Sequence, residues 1–312
     1  MTETLATLSR RIRSTTDLQS VVKTMKTLAA VNIRQYERAV VALEQYNHVI
    51  EAGLQIVLRN RRLQQPVNNR ELASLGTIIF GSEQGLVGQF NERVALFAAE
   101  RMARQRVARE SCGVLAVGMR VAAALESVGQ PVDHVFAVPA SLGGIVPLVQ
   151  TLVLRIEAWR RDRGIERVQL FYNQTRTAAS YAPTRVQLLP IDWQWLGELQ
   201  RRRWPTNQLP TTTLDWDVVF SGLIRQYLLV ALFRACAASL AAENASRLAS
   251  MQAAEHNIEE HLDMLRLRYH QRRQDTITEE LMDIISGFEA FAAEEPACQS
   301  SFKTPALSNL PV

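Results

Sequence analysis

Apolar side chains return at alternating steps of four and three through the N-terminal part of the chain, at Leu8, Ile12, Thr15, Gln19, Val22, Lys26, Ala29, Ile33, Tyr36, Val40, Leu43, Asn47, Ile50, Leu54 and Val57. Eleven of these fifteen positions are apolar, and from Thr4 to Leu58 there is no proline and one glycine, Gly53. A period of 3.5 residues held over that length predicts one long helix with a coiled-coil seam. From the capping residues Thr212, Thr213, Asp215 and Asp217 to Phe291 the chain is again free of proline. There Leu223, Tyr227, Val230, Ala237, Leu248, Met251, Ile258, Leu262, Leu265 and Tyr269 recur at helical spacing, which predicts the second half of the coil.

Between the two, the pattern changes. GTIIFG, GVLAVG, VDHVFAVP, RVQLFYN and TRVQLLPI are short, rich in β-branched and aromatic residues and bounded by breakers, so they read as strands. The intervening NERVALFAAERMARQRVARE, RVAAALESV and IVPLVQTLVLRIEAWRRD read as amphipathic helices. Alternation of this kind predicts a mainly parallel, Rossmann-like sheet with helices on its faces, and the last two strands an antiparallel hairpin. The expected fold class is mixed α+β and α/β: a long antiparallel coiled coil of terminal helices plus a small α/β domain. The expected boundaries are 1–62 for the first coil helix, 70–205 for the α/β foot domain, 210–291 for the second helix and its bearing tip, and 292–312 for a flexible tail. QQPVNN and RRRWPTNQLPTTTLD, with Pro66, Pro205 and Pro210, are the linkers.

Length adds a geometric expectation. About 55 helical residues span ~80 Å and about 80 span ~120 Å, so the helices cannot match. Paired antiparallel from the α/β domain outward, the C-terminal helix outruns its partner near Arg266 for about seven turns. That end carries Ile277, Leu281, Ile284, Ile285, Phe288 and Phe291, and apolar surface of this extent marks an interface.

Composition narrows the partner. The 312 residues are 47% hydrophobic, enough for a substantial core, and carry a formal net charge of +4. The first 62 residues hold ten basic against five acidic side chains. These charges are interleaved on helical sequence with no Arg cluster among stacking aromatics, which favours a protein partner and no nucleic acid. Cys112, Cys236 and Cys298 share no short spacing, so neither a zinc site nor an even disulfide framework follows, and a reducing compartment does. The richest apolar stretch, GGIVPLVQTLVLRIEAW, is interrupted by Pro147, Gln150, Arg155 and Glu157, so no transmembrane span is expected. The N-terminus lacks the order of a signal peptide, which favours a bacterial cytoplasm.

Candidate chemistry is sparse. GSEQGLVGQFN, with Gly85 and Gly88 ahead of a helix, lacks the dinucleotide fingerprint and any Gly-Lys-Ser/Thr ending, so it reads as a strand-to-helix turn with Asn91 a helix cap. His256 and His261 stand five apart and share no zinc-binding face. Ser141, Asp133 and His134 lack a nucleophile-elbow context. No catalytic residue, cofactor or metal is expected. Leu18, Val21, Met25 and Leu28 form a second stripe beside the seam, with Lys23 and Lys26 alongside, and either widen the coil core or contact a partner. In RLRYHQRRQDTITEE, basic Arg266, Arg268, Arg272 and Arg273 give way to Glu279, Glu280 and Asp283, as a solvated face or as a specific contact. Glu243 and Arg247 are i,i+4 neighbours, suited to an intrahelical ion pair worth a few tenths of a kcal/mol.

LSRRIRSTTDLQSVVKTMKTLAAVNIRQ and AASLAAENASRLASMQAAEHNIEEHLDMLRLRYHQRRQDTITEELMDIISG resemble the terminal helices of the F-type ATP synthase γ-subunit family. The middle adds GSEQGLVGQFN, similar to that family's Gly-Leu-Cys-Gly turn ending in Asn, and YNQTRTAASYAPTRVQLLP. The resemblance implies a central rotor shaft coupling transmembrane ion flow to ATP synthesis or hydrolysis. It implies as partners the α and β subunits of the catalytic ring, the ε subunit and the membrane c-ring, with a peripheral location on the cytoplasmic face of the bacterial inner membrane. It places β-subunit contacts at Lys23, Met25, Arg273, Gln274, Thr278 and Glu280. The sequence departs from the family at Glu83 and Gln84, which stand for Asp-Arg, at Val87, which stands for Cys, and in a longer tail. These departures suggest a divergent version from a second operon. The alternatives are a free-standing coiled-coil adaptor and a nucleotide-binding enzyme built on the α/β domain.

Overall fold

The computed structural model describes residues 4–59, 74–105, 107, 111–177, 180–204, 208, 210–211 and 214–293. The segment around Pro66, the residues Pro205, Thr212 and Thr213, and the tail with Cys298 lie outside the described residues. Helix α1 is Leu5–Arg59 and helix α6 is Trp216–Ala293; between them come β1 (Leu75–Phe80), α2 (Phe90–Ala103), β2 (Cys112–Val117), α3 (Met119–Ser127), β3 (His134–Phe136), α4 (Ile145–Arg163), β4 (Arg167–Thr177), β5 (Ser180–Leu189) and α5 (Trp193–Arg201). The chain divides into two units, Met1–Val21 with Glu255–Val312, and Val22–Ala254.

In the first unit, Thr4 caps α1, its Oγ1 accepting the Thr7 amide at 3.3 Å. Leu8, Leu262 and Leu265 are each 2% exposed, and Gln19 donates from Nε2 to Glu259 Oε1 at 3.3 Å, which fixes an antiparallel pairing. In the second unit, Asn32 Nδ2 meets Asn244 Oδ1 at 3.4 Å and the Tyr46 hydroxyl meets Gln226 Oε1 at 3.3 Å, again antiparallel. None of the fifteen α1 positions named for the 3.5-residue period is exposed, and none of the ten named on α6. Period alone therefore selected the buried face, including the polar positions Thr15, Gln19, Lys26 and Asn47, which are partly covered.

The second unit also holds the sheet, in the order β3-β2-β1-β4-β5. β1 pairs in parallel with β2 and β4, β2 with β3, and only β4 and β5 are antiparallel. One face carries Ile78, Phe80, Leu170 and Tyr172 under α4 and α6; the other carries Leu75, Ile79 and Phe171 under α2 and α3. Gly76 and Gly113 stand side by side in register, and a Cβ on either would lie 2.7–2.8 Å from the Trp159 ring. Only glycine lets the indole of α4 lie on the sheet there.

Two helices, Leu142–Arg163 with the short 3-10 turn before α4, and Trp216–Glu289 within α6, have the length and mean hydropathy of a span. In α4 part of that apolar content, Ile145, Val149, Leu152, Val153, Ile156 and Trp159, is buried in the core of the second unit, while Val146 and Leu154 are exposed. In α6, Leu232, Ala235, Ala237 and Leu240 are buried in the same core, while Val218, Met264 and Leu267 are exposed.

Candidate functional site

The glycine-containing turn after β1 is held by protein contacts. The Ser82 amide donates to Asn91 Oδ1 at 2.9 Å, Asn91 Nδ2 donates to Ser82 Oγ at 2.9 Å, and Ser82 Oγ donates to the Gln84 carbonyl at 2.8 Å. Asn91 is thus a buried clamp across the turn and not the helix cap expected from sequence; Gln89 occupies the N-cap without a side-chain bond. Glu83 Oε2 accepts the Val138 amide at 3.2 Å, so this departure from the family pattern ties the turn to the segment after β3.

In open α/β sheets a ligand sits outside the carboxyl ends of the strands where their order reverses, here between β1 and β4. The chain's own residues fill that position. Val87, Phe90 and Ala242 are buried together against Tyr181, Ser246 Oγ donates to the Val87 carbonyl at 2.6 Å, and Asn173 Nδ2 donates to the Phe90 carbonyl at 2.8 Å. The small residues of α6 (Ala241, Ala242, Ala245, Ser246) are what allow the turn to seat on the helix. Asp133 is likewise engaged, with Oδ2 accepting from the Val114 amide at 3.1 Å and from Arg163 Nη1 at 3.0 Å, while His134 packs edge-on against Phe136. Among the described residues no group of three metal-ligating side chains is found.

Glu243 and Arg247 pair as the spacing suggests, at 2.6 Å, but their side chains are only 7% and 13% exposed. The intrahelical pair forms as expected, but this turn of α6 faces the protein interior, so the few tenths of a kcal/mol of a solvated pair do not carry over to it. Burial pushes the Glu243 carboxyl above its ordinary range, against the pull of Arg247 and with a further push from Glu83. Its Oε2 has no hydrogen-bond partner among the described residues. Burial, followed by the nearby Glu243, pushes the Cys236 thiol up to about 12.

The last turns of α6, in the first unit, have a different character. Beyond Thr276 every residue through Glu289 is exposed, with Ile277 at 53%, Leu281 at 55%, Ile284 at 59%, Ile285 at 43% and Phe288 at 76%. At about 100° per residue these five fall within a ~100° sector, while the seam direction set by Leu262, Leu265 and Tyr269 lies ~120° away. Continuing the seam leads to Arg272, Thr276, Glu279 and Asp283, which are polar, and Arg272 Nη1 reaches Glu279 Oε1 at 3.7 Å. The apolar face is thus a second stripe directed away from the α1 seam. Arg273 and Glu280 border it on one side and Gln274 and Thr278 on the other, all four exposed; Thr278 Oγ1 donates to the Gln274 carbonyl at 2.9 Å.

Lys23 and Met25 belong to the second unit, Lys23 exposed and Met25 half-buried. Leu18, Val21 and Leu28 are 53%, 54% and 58% exposed, which excludes a core-widening role for them. Sequence reasoning missed Val31, 59% exposed on the same helix, and Leu86, exposed in the turn at φ 63 and the only non-glycine residue of positive φ among those described. A leucine in the left-handed region leaves no mark in a periodicity pattern.

A family model described as ATP synthase matches residues 4–291. The ATP synthase gamma chain of Bdellovibrio bacteriovorus is 23% identical over 295 residues, covering 92% of this chain and 98% of that one. That of Nostoc punctiforme is 26% identical over 320 residues with the same coverage. Among solved structures, a chain of the Euglena gracilis mitochondrial ATP synthase, described as OSCP/F1/c-ring, aligns with TM-score 0.62 at 16% identity, covering 96% of this chain and 98% of that chain. One from the central stalk and c-ring of the Tetrahymena thermophila enzyme aligns with TM-score 0.53 at 18% identity, covering 75% of this chain and 99% of that chain.

Proposed function

The chain belongs to the ATP synthase family as a γ chain, its central-stalk subunit, and from that premise we propose that its two terminal helices turn inside the catalytic ring. The observation that carries the proposal is the exposed apolar face of α6 from Ile277 to Phe288, directed away from the seam that α1 covers. Such a face needs a partner. A ring of α and β subunits supplies a collar around it, and Lys23, Met25, Arg273, Gln274, Thr278 and Glu280 meet the β subunits. The chain holds no catalytic group of its own in this reading. Because it has no three-fold symmetry, its angle gives each β subunit different contacts, and differential contact energy biases which site is open or closed.

The protein is peripheral to the membrane as part of the stalk. The α/β portion, about residues 70–205, with the adjoining coil, forms the foot that binds the ε subunit and the c-ring on the cytoplasmic face of a bacterial inner membrane. Ion flow through the membrane sector turns the foot and drives ATP synthesis; hydrolysis reverses it. Co-expression of the full chain with its α and β subunits tests this. Recovery of one chain per ring, lost when Ile284 and Phe288 are both changed to Asp, supports the shaft. A monodisperse chain that ignores the ring sinks it.

A further inference from the structure

The turn between β1 and α2 is tied to itself and to its neighbours within the second unit. Ser82 and Asn91 bond twice across it, and the Ser82 carbonyl accepts the Arg120 amide of α3 at 3.1 Å. Glu83 holds the Val138 amide after β3, and Asn173 of β4 holds the Phe90 carbonyl. A segment bonded in this way is a stiff part of the α/β portion.

The turn also lies on α6. Val87 and Phe90 are buried against Ala242, the Val87 carbonyl accepts from Ser246 Oγ at 2.6 Å, and a Cβ on Gly88 would stand 3.6 Å from Ser250 Oγ. Ala242, Ser246 and Ser250 follow at steps of four and share one face of the helix. Asn244, which meets Asn32 of α1 at 3.4 Å, is two residues from both Ala242 and Ser246 and so points ~160° away around the axis. At this level α6 is held between the turn on one side and α1 on the other. Nearer its N-terminus, Leu232, Ala235, Cys236 and Leu240 pack on the sheet face through apolar contact, which is non-directional. The seat under the turn is directional. Rolling α6 there would break the Ser246 bond and bring the longer side chain of Glu243 under Val87.

We propose that this seat is the fixture by which the α/β portion grips the shaft, with Ala242 and Ser246 as positioning residues that let it turn α6 without slip. The proposal rests on the rotor reading and adds to it the place where torque enters the helix. It uses none of the ring contacts.

A volume exchange tests it. Ala242→Val crowds the seat and Val87→Ala relieves it by the same carbons, so the double variant restores the volume that each single change disturbs. In the free full chain, hydrogen exchange of residues 82–91 should quicken about ten-fold in Ala242→Val and return to the parent rate in the double variant. Unchanged exchange in β2 shows that the fold is kept. In the assembled complex, with the ring fixed, ATP absent and a bead on the α/β portion, the angular fluctuation of the bead should widen about two-fold in Ala242→Val and narrow again in the double variant, as expected of two residues in contact. Ser246→Ala, which removes only the donor, should widen it in the same direction. Unchanged exchange in Ala242→Val, a double variant that stays loose, or exchange that quickens while the angular fluctuation remains that of the parent overturns the proposal, the last by making the seat a stability contact only. A parent chain that never enters the ring sinks the rotor reading and the proposal with it, whereas a parent that rotates, with variants that fluctuate no more than it does, sinks the proposal alone.

Discussion

Leu265 and Leu281 lie on the same helix in the same unit, and identical substitutions there should have opposite consequences. Leu265 is 2% exposed in the seam and Leu281 is 55% exposed on the outer stripe. Truncating Leu265 to Ala removes a buried side chain and leaves a cavity, which costs about 3 kcal/mol of local pairing. Truncating Leu281 in the free chain should change stability by less than about 0.5 kcal/mol, since solvent already reaches it. In the ring the order reverses. Covering the exposed part of a leucine contributes about 1 kcal/mol and that of Phe288, 76% exposed, about 2 kcal/mol, so Leu281→Ala with Phe288→Ala should weaken ring assembly by roughly 100-fold. Hydrogen exchange of residues 255–270 and urea unfolding read the first effect; titration of the ring with labelled chain reads the second. Equal destabilisation of the free chain by the Leu265 and Leu281 variants, or unchanged ring affinity in the double variant, would refute the assignment of the outer stripe to a partner.

Asn91→Ala removes a buried clamp bonded twice to Ser82 and should cost about 2–4 kcal/mol in chemical denaturation, with Asn91→Asp recovering only the acceptor half. Glu243 is held above the usual carboxylate range when folded, so its favourable contribution is complete below its unfolded pKa and is lost as pH rises through the folded value. Since Gln cannot ionise but also leaves Arg247 without its carboxylate, the stability of Glu243→Gln relative to the parent should rise between pH 4 and pH 7.5, whatever its offset; a pH-independent difference would contradict the burial argument. Cys236, 1% exposed and with its thiol pushed up to about 12, should resist alkylation at pH 8 until the chain unfolds, as mass spectrometry of the labelled peptide would show.

The long helices and the alternating centre were legible because each rests on a local rule. A 3.5-residue period picks out the covered face whatever the partner is, which is why even Lys26 and Asn47 fall on it. Strand runs alternating with helices pointed to parallel pairing and the last two runs to the closing hairpin, while the strand order β3-β2-β1-β4-β5 came only with the structure. Tertiary placement was harder to read. Nothing in the letters GSEQGLVGQFN says that Asn91 folds back on Ser82, because a cap and a clamp use the same side chain and differ only in which amide comes within reach. The spacing of Glu243 and Arg247 foretold their pairing but not its burial, which depends on the turn after β1 seating on α6. The outer stripe at Ile277–Phe288 was visible as apolar residues, and its rotation follows from the helical step once Leu262 and Leu265 are taken as the seam, which their burial bears out.

The central claim is that the chain turns as a shaft within a ring, and single-molecule rotation tests it most directly. With the ring fixed to a surface and a bead attached through the α/β portion of this chain, ATP should drive stepwise rotation in one direction, stalling or slipping when Ile284 and Phe288 are replaced by Asp. ATP hydrolysis by a ring that contains the chain while the bead only diffuses would contradict the account.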